Sequence, residues 1–452
     1  MTSKEWKKCK LGDIADVTKL AGFEFTKYIN YDESGEIIAL RALNLRNGIL
    51  DLSDIKRIKK SVSDSLTRSK LYINDILLTY TGNGYGDCAI IKENDKYHLA
   101  PNICKISPKI EIVDPYYLYS YIRSKQFYTQ MTNNMVGSGQ PTIPMKTIRI
   151  LEIPISSKNK QQKIAKVLSA IDDKIELNNL INNNLEQQAQ AIFKSWFVDF
   201  EPFGGTMPNN WCVGCLSDIA TITMGQSPSG SSYNENKMGT LFFQGRAEFG
   251  YRYPKDRLYT TEPKRIAKAN DILISVRAPV GDINIALKEC CIGRGLAAIE
   301  PKNRYNSFVL YSVFNLKKQL NIFNGEGTVF GSINKDSLND IKTLIPSKGI
   351  VKNFEKIVSP MDNLIKYNCI QNEQLTQLRD TLLPKLMSGE IDVSEVDISP
   401  DKLYEPANES KLSAEPYNSS GSFASASKNL PSEQSSSADK LLFIDEVIND
   451  KL

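Results

Sequence analysis

Histidine is almost absent from this sequence, because His98 is the only one among 452 residues. Histidine supplies many general bases and zinc ligands at neutral pH, so its scarcity argues against the commonest hydrolase and metalloenzyme sites. The chain also lacks a G-x-x-x-x-G-K-[ST] phosphate loop and a G-x-G-x-x-G turn after a predicted strand, which argues against nucleotide hydrolysis and dinucleotide binding. The sequence therefore offers no recognisable motif for catalysis, metal binding or cofactor binding of these kinds.

Long apolar runs are lacking too. No run approaches the roughly 18 residues that a membrane-spanning helix needs, and the stretch MTSKEWKKCKLGD has no apolar core typical of a secretion signal. We expect a cytoplasmic protein without membrane contact, in which the eight cysteines are thiols. Cys212 and Cys215 form a C-x-x-C, but no second pair stands at zinc-ribbon spacing, which favours a structural or incidental role.

The net charge is only +4, but it is unevenly distributed. Residues 1–155 and residues 206–346 each carry a modest excess of Lys and Arg, the segment after each is neutral, and the tail from 393 is acidic. Such an excess usually serves solubility, yet its recurrence in two blocks indicates a polyanionic partner.

The chain contains an internal repeat. The stretch WKKCKLGDIADVT begins at Trp6, and WCVGCLSDIATIT begins 205 positions later at Trp211. Further along, NDILLT at 74–79 matches NDILIS at 270–275. Short apolar runs in each copy predict buried strands and longer patches predict helices, so each copy is expected to be a mixed α+β domain.

A long helical segment follows each copy. Between Ile164 and Ile192, apolar side chains and two asparagines, Asn178 and Asn182, recur at alternating steps of four and three residues, which is the spacing of a coiled-coil seam. Adding 190 to each position gives a second seam, from Phe354 to Leu382, that keeps both asparagines.

The two helices are predicted to pair as an antiparallel coiled coil, because the second one returns the chain after a whole globular copy. Asn178 and Asn182 would then approach Asn372 and Asn368, and amide-to-amide hydrogen bonds would fix the register at some cost in stability. Two separate amphipathic helices, each packed on its own domain, are the alternative.

Proline and serine mark the ends of the second segment. Pro360 predicts a kink near the start of the helix, and Pro384 predicts its end. From about 397 the composition becomes Ser-rich, which predicts a disordered tail. The tail closes with LLFIDEVIND, which predicts a short terminal helix that is either inert or a docking element.

Three phrases occur in a fixed order: GSGQPTIPMKTIRILEIPIS, QQKIAKVLSAIDDKIELNN and QLTQLRDTLLPKLMSGEI. Together with the twofold repeat, they resemble the specificity subunit of a type I restriction–modification system over about residues 4–394. The resemblance implies two target-recognition domains, at 1–155 and 206–346, each reading one half of a bipartite DNA site. It also implies helical spacers at 156–205 and 347–396, whereas the tail at 397–452 departs from the pattern.

The resemblance further implies the partners. Double-stranded DNA, two modification (methyltransferase) subunits and restriction/translocase subunits would join this chain. The partner subunits would bring S-adenosylmethionine, ATP and Mg²⁺, while the chain itself would be non-catalytic. The apolar stretch 192–197 would either be buried at the end of the first helix or dock a modification subunit.

Candidate DNA contacts follow from side-chain chemistry, because Arg reads guanine and Asn or Gln reads adenine through paired hydrogen bonds. In the first copy the candidates are Arg41, Asn44, Arg46, Tyr80, Asn83, Tyr85, Ser138 and Gln140. In the second copy they are Gln244, Arg246, Arg252, Arg277 and Arg294. Arg41 and Arg246 align across the repeat, so either could instead serve the scaffold. Phosphate contacts are expected from Lys59, Lys60, Lys264 and Arg265.

Two rival interpretations remain at this stage. A stand-alone nuclease or methyltransferase would need the motifs that the sequence lacks. A coiled-coil scaffold that binds only protein would show no salt-dependent binding to duplex DNA.

Overall fold

A computed structural model describes residues 6–46, 48–82, 84–136, 141–324 and 331–393. The chain divides into two compact units, of which unit 1 comprises Met1–Ile175 and Gln374–Leu452 and unit 2 comprises Glu176–Glu373. Each unit mixes helices and sheets and contains one copy of the repeat, which confirms the predicted α+β class. The predicted tail at 397–452 and its terminal helix lie outside the described residues.

The first copy, within its described residues, has short helices between short strands. Its strands are β1 (Lys7–Lys10), β2 (Ala15–Lys19), β3 (Ile37–Leu40), β4 (Leu45–Arg46), β5 (Ile49–Leu50), β6 (Lys56–Ile58), β7 (Ile76–Thr79), β8 (Cys88–Ile90), β9 (Tyr97–Leu99), β10 (Ile103–Pro108) and β11 (Glu152–Ile155). Its helices are α1 (Leu11–Ile14), α2 (Gly22–Tyr28), α3 (Lys60–Ser65), α4 (Pro115–Ile122), α5 (Lys125–Thr132) and α6 (Met145–Ile150). The long helix α7 (Lys158–Phe197) follows.

The second copy, over the residues described, repeats this order. Its strands are β12 (Cys212–Cys215), β13 (Ala220–Met224), β14 (Tyr233–Asn234), β15 (Thr240–Phe243), β16 (Tyr259–Thr260), β17 (Ile266–Ala267), β18 (Ile272–Ser275), β19 (Ile283–Ile285), β20 (Cys290–Ile292), β21 (Leu296–Pro301) and β22 (Lys342–Ile345). Its helices are α8 (Leu216–Ile219), α9 (Asn306–Asn315), α10 (Lys317–Asn321) and α11 (Lys335–Asn339), and the long helix α12 (Lys348–Ser388) follows.

The four-stranded sheets of the two copies correspond strand by strand, and their second sheets share a parallel pair. A four-stranded antiparallel sheet has the order β2-β10-β7-β8 in the first copy and β13-β21-β18-β19 in the second. A second sheet contains the parallel pair β3–β9 in one copy and β15–β20 in the other. Strands β7 and β18 are fully buried, because their apolar runs lie between the helices of the copy and the second sheet. The predicted repeat is therefore confirmed.

The long helices bury the predicted seam. In unit 1, Ile164, Leu168 and Ile171 of α7 belong to the same apolar core as Leu375 and Leu382 of α12. In unit 2, Ala189 of α7 shares a core with Phe354 and Val358 of α12. Among the described residues, no helix combines the length and hydrophobicity needed to cross a bilayer.

Helix α12 continues through both of its prolines, so the prediction that they interrupt it is wrong, whereas the kink predicted at Pro360 stays a prediction. Each proline removes one backbone hydrogen bond, at a cost of about 3 kcal/mol or more. Buried side chains flank both prolines, among them Val358 beside the first and Leu383 beside the second. Burial of an apolar face contributes more to a helix than local propensity does, so packing maintains the helix.

The predicted asparagine contacts form within unit 2. Asn178 donates its amide to the carbonyl oxygen of Asn372 at 2.8 Å, and Asn368 donates to Asn182 at 2.9 Å. Asn182 and Asn368 are buried, so each amide satisfies a polar group that water does not reach. The amide of Asn182 also lies 3.6 Å from the sulfur of Cys369.

We expect Asn182→Leu to lower the free energy of unfolding by about 1–3 kcal/mol, because it leaves the buried amide of Asn368 without its acceptor. The double variant Asn182→Leu/Asn368→Leu should recover most of this loss, since neither polar group then remains. Urea unfolding followed by circular dichroism measures both values. The control Asn183→Leu, at an exposed position of the same helix, should change stability by less than about 0.5 kcal/mol. An additive double variant would contradict the pairing.

Candidate nucleic-acid interface

The end of β18 is tied to two neighbouring turns in unit 2. The Val276 amide donates to the Gly295 carbonyl at 2.9 Å, and the Gly295 amide donates to the Gln244 carbonyl at 3.2 Å. On the other side, the Ile333 amide donates to the Val276 carbonyl at 3.0 Å. These backbone hydrogen bonds hold three exposed side chains in one neighbourhood, and we call the set the strand-end site of unit 2: Gln244, Arg277 and Arg294.

The two arginines of this strand-end site have no charged partner among the described residues. Within the described residues, neither the Arg277 nor the Arg294 guanidinium makes a hydrogen bond or an ion pair. Arg246, on the following turn, is also exposed but forms an ion pair with Asp282. Unit 2 therefore presents two free guanidinium groups and one amide, which are the groups that read base edges by paired hydrogen bonds.

Glycines allow the backbone of this site to pack closely. A Cβ atom added to Gly293 would lie 2.8 Å from the Cα atom of Gln244, and one added to Gly295 would lie 2.9 Å from its carbonyl oxygen. Any other residue would push the two turns apart, so the GRG sequence has a physical reason that is independent of ligand binding.

One polar neighbour of this site was missed from the sequence. The Gln226 amide nitrogen donates to the Ile292 carbonyl at 2.9 Å, which places the exposed Gln226 side chain beside the turn that carries Arg294. The run MGQSPSGSS, polar and directly after a strand, is the signal that could have indicated it.

Unit 1 repeats the same backbone arrangement. The Tyr80 amide donates to the Asn102 carbonyl at 3.3 Å, and the Ile143 amide donates to the Tyr80 carbonyl at 3.0 Å. The parallel pairs match Leu40 with Leu99 and Phe243 with Ile292. The positions that correspond to the strand-end site of unit 2 form the strand-end site of unit 1: Arg41, Thr81 and Pro101.

This correspondence corrects the sequence alignment. The conserved Arg-Ala pair aligns Arg41 with Arg246, but strand pairing places Arg41 at the position of Gln244. The difference is two positions. Gly245 adds one residue before the short 3-10 turn Arg246–Glu248 of unit 2, and Arg246 is the first residue of that turn, whereas Arg41 precedes the turn Ala42–Asn44 of unit 1. The two arginines also have different partners, because Arg41 pairs with Asp54 at 3.0 Å and Arg246 pairs with Asp282.

The side chains of the strand-end site of unit 1 are more constrained than those of unit 2. The hydroxyls of Thr81 and Thr142 lie 2.6 Å apart. The Lys19 ammonium lies 5.3 Å from the centre of the Tyr80 ring. Tyr85 packs edge-on against Tyr128 with ring centres 6.0 Å apart, and burial raises the pKa of Tyr85 to about 12. Unit 1 thus presents an aromatic surface with few free charges.

A family model described as the type I restriction modification DNA specificity domain matches residues 3–187 and 208–379. The chain belongs to the type I restriction–modification specificity family.

Two relatives show how far the likeness to this specificity family extends. The putative type I restriction enzyme MjaX specificity subunit of Methanocaldococcus jannaschii is 31% identical over 408 residues, covering 86% of this chain and 94% of the relative. The type I restriction enzyme HindI specificity subunit of Haemophilus influenzae is 25% identical, covering 86% of this chain and 100% of the relative. The crystal structure of a type I S subunit from M. genitalium matches with a TM-score of 0.55 at 18% identity, over 85% of this chain and 97% of that one, which supports the fold.

Two of the residues that were predicted to contact DNA are buried, which contradicts the prediction for them. Asn44 is fully buried, and its amide donates to the carbonyls of Asp51 and Asp54, each at 2.8 Å. Its side chain therefore closes a turn of the first copy and has no remaining donor for a base. Arg252 is 2% exposed and forms an ion pair with Asp362, so its guanidinium is unavailable to DNA.

The remaining candidates stay predictions. Arg46 is exposed, 3.6 Å from the Asp51 carboxylate. Of the phosphate candidates, Lys60, Lys264 and Arg265 are exposed, and Lys59 lies 3.8 Å from Asp32. Three candidates lie outside the described residues: Asn83, Ser138 and Gln140. Among the residues described, no group of three His, Cys, Asp or Glu side chains is placed to hold a metal ion.

The apolar stretch at the end of α7 is largely buried. Phe193 and Phe197 belong to the core of unit 2, where they contact Phe354 with ring centres 5.9 Å and 5.2 Å away. Ile192 and Trp196 are half-buried at the margin of the same core. Burial therefore accounts for most of this stretch.

We expect Gly293→Ala to disturb the strand-end site of unit 2, because its Cβ atom would clash with the backbone of Gln244. The melting temperature should fall by several degrees, corresponding to about 1–3 kcal/mol. Gly230→Ala is the matched control, since a Cβ atom there meets nothing within 4 Å. Equal melting temperatures for the two variants would show that the close contact is absent in solution.

Proposed function

We propose that this chain is the sequence-specific DNA-binding subunit of a type I restriction–modification complex, in which each copy of the repeat reads one half of a bipartite site. The chain is non-catalytic in this proposal, and S-adenosylmethionine, ATP and Mg²⁺ belong to partner subunits. The relatives named as specificity subunits of type I restriction enzymes support the proposal.

One observation carries the proposal for DNA reading: two copies of one backbone arrangement present different side chains at corresponding positions. Positions held by backbone hydrogen bonds keep their geometry whatever side chain they carry. Two domains of the same fold that must recognise different half-sites need this combination. A scaffold that binds only protein would have no need of two dissimilar polar surfaces on one frame.

The side chains suggest what each unit reads. Arg277 and Arg294 suit the paired acceptors of guanine, and Gln244 suits adenine. In unit 1, Tyr80 and Tyr85 offer apolar contact, whereas Thr81 is only 8% exposed and bonds to Thr142. Arg41 and Arg246 have carboxylate partners. In this proposal their primary role is therefore to position their loops, and contact with a base is secondary.

The long helices are proposed to form an antiparallel coiled coil that spaces the two recognition domains. The paired asparagines support this proposal, because Asn178 with Asn372 and Asn182 with Asn368 run in opposite order along the two helices. With 40 residues, α7 is roughly 60 Å long, which is more than one turn of duplex at about 34–36 Å per turn.

The outer faces of these helices are proposed to dock the two modification subunits, which in turn recruit the restriction/translocase subunits. On α12, four apolar side chains outside the seam are exposed, of which the first three share one face: Ile357, Leu364, Tyr367 and Ile370. Water-exposed apolar side chains that share one helix face favour contact with protein.

The test of DNA reading is Arg294→Ala. We expect the complex of this variant with modification subunits to lose discrimination at one base pair of one half-site, by about 1–3 kcal/mol. Sequencing of methylated adenines in a randomised target library measures the preference at every position of both half-sites.

Arg304→Ala is the matched control for this experiment. Arg304 is an equally exposed arginine, but it follows the far end of β21, whereas Arg294 precedes the start of this strand. The six residues of β21 separate the two arginines by roughly 20 Å. Equal preferences for both variants and the parent chain, at all positions, would defeat the proposal.

The spacer is tested by adding one heptad to each long helix, after Ile175 in α7 and after Asn372 in α12, so that both asparagine pairs stay on the same side of the insertions. Seven residues lengthen a helix by about 10 Å, so we expect the unread gap between half-sites to grow by about three base pairs at 3.4 Å each. The same methylation assay reads the gap. A heptad in α7 alone is the control, because it shifts the asparagines out of register. An unchanged gap in the double insertion would contradict a spacer role.

A further inference from the structure

Two carboxylates whose side chains are only 18–19% exposed occupy corresponding places on the long helices. Asp172 of α7 and Asp362 of α12 stand 190 positions apart, which is the offset that relates the two seams. Each follows an apolar seam residue, Ile171 or Met361, by one position. A carboxylate one step from an apolar seam is costly to bury unless cations and donors compensate for it.

The Asp362 cluster of unit 2 consists of Asp362 and the three side chains that bond to it. Arg252 donates to the carboxylate and lies only 2% exposed. Tyr311 donates its hydroxyl at 2.8 Å and Ser307 donates at 2.6 Å. The guanidinium of Arg252 also lies 5.6 Å from the centre of the Tyr311 ring, which adds a cation–π contact.

The Asp172 cluster of unit 1 is similar, but it has a second arginine where the Asp362 cluster has a serine. Tyr116 and Arg123 each donate to one oxygen of Asp172 at 2.6 Å, and Arg379 donates to the other at 2.8 Å. Arg123 lies 5.0 Å from the centre of the Tyr119 ring. In both units, a tyrosine and an arginine of the globular copy therefore bond to a carboxylate of the long helix.

The charge balance of the two clusters differs. Burial acts to raise the pKa of Asp172, but the charges of Arg123 and Arg379 outweigh it and hold this pKa below its usual range. Burial raises the pKa of Asp362, and Arg252 only partly offsets it, because Glu186 adds a second negative charge nearby. The Asp362 cluster is thus the less strongly compensated of the two.

Each cluster touches the loop that begins with one residue of its strand-end site, Gln244 in unit 2 and Arg41 in unit 1. In unit 2, the loop runs from Gln244 to Arg252, so its first residue belongs to the strand-end site and its last to the Asp362 cluster. The Arg252 carbonyl also accepts from the Ile285 amide at 3.0 Å, and the Gly250 amide donates to Asn284 at 3.0 Å. The loop is held at both ends.

In unit 1, the loop from Arg41 to Gly48 reaches the Asp172 cluster through its glycine. The Gly48 carbonyl accepts a hydrogen bond from Tyr119. A Cβ atom added to Gly48 would lie 2.6 Å from the central carbon of the Arg123 guanidinium. The loop end therefore rests on the arginine that bonds to Asp172.

We propose that the Asp172 and Asp362 clusters are positioning sites: each sets the base selectivity of its own half-site, without touching DNA, by fixing the recognition loop to the long helix. This inference rests on the proposed reading of one half-site by each unit. Small displacements of a positioned group weaken directional contacts more than non-directional ones. Loosening a cluster should therefore reduce discrimination between bases more than overall affinity for DNA.

The deciding variants are Asp362→Asn and Asp172→Asn, each assayed as the full chain in complex with modification subunits. For Asp362→Asn we expect the preference for the correct base to fall about tenfold in the half-site of unit 2 and to stay unchanged in the half-site of unit 1. Asp172→Asn should give the reverse pattern. Methylation of the randomised library measures both half-sites in one sample, so each variant carries its own internal control.

The double variant Arg252→Asp/Asp362→Arg tests whether the ion pair itself matters, and it should regain part of the lost preference. Tyr311→Phe decides the question if Asp362→Asn does not fold, because it removes one hydrogen bond to the carboxylate and keeps both charges. We expect it to reduce the preference in the half-site of unit 2 alone, by a few fold.

An equal fall of methylation at all sequences, or unchanged preference in both half-sites, would overturn the inference. Arg294→Ala, run in parallel, separates this failure from failure of the proposed function. If Arg294→Ala relaxes one half-site while Asp362→Asn does not, only the positioning role is wrong. If neither variant changes any preference, DNA reading by these units is itself wrong.

Discussion

Satisfying polar groups that are buried along the two long helices is the constraint on which this molecule depends. An apolar seam alone would allow the helices to slide, since one leucine layer resembles the next. Amides and carboxylates inside the seam allow far fewer arrangements, because each must meet its partner or remain unbonded away from water. The chain places amides at Asn182 and Asn368 and carboxylates at Asp172 and Asp362, so both the pairing of the helices and the seating of each globular copy are specified chemically.

In each globular copy, some residues maintain the fold and others form the exposed surface. Backbone hydrogen bonds and glycines define the strand ends, while the side chains at those positions are left to vary. Asn44 and Arg252 are polar residues in loops, yet both serve the scaffold. A polar or charged side chain in a loop of this fold is therefore as often part of a turn as part of a surface.

Much of this organisation could be predicted from the sequence. The repeat, the mixed class of each copy, the buried seam and the asparagine partners all follow from periodicity, which is a local property of the chain. The burial of Arg252 could not be predicted, because it depends on Asp362, 110 residues away, and on the tyrosine that lies between them in sequence. The alignment of Arg41 with Arg246 also failed, because Gly245 adds one residue before the 3-10 turn of unit 2 and the two arginines occupy different positions relative to their turns. Continuity of α12 through its prolines also depends on tertiary packing.

The backbone bonding at the strand ends has an evolutionary consequence. Since these hydrogen bonds join main-chain atoms, an exchange such as arginine for glutamine between positions 41 and 244 leaves the sheet undisturbed. Mutations at such positions would be nearly neutral for folding, and selection could act on them through ligand choice alone. A lineage carrying this frame could thus diversify its targets rapidly by point substitution, while the helices beneath change slowly.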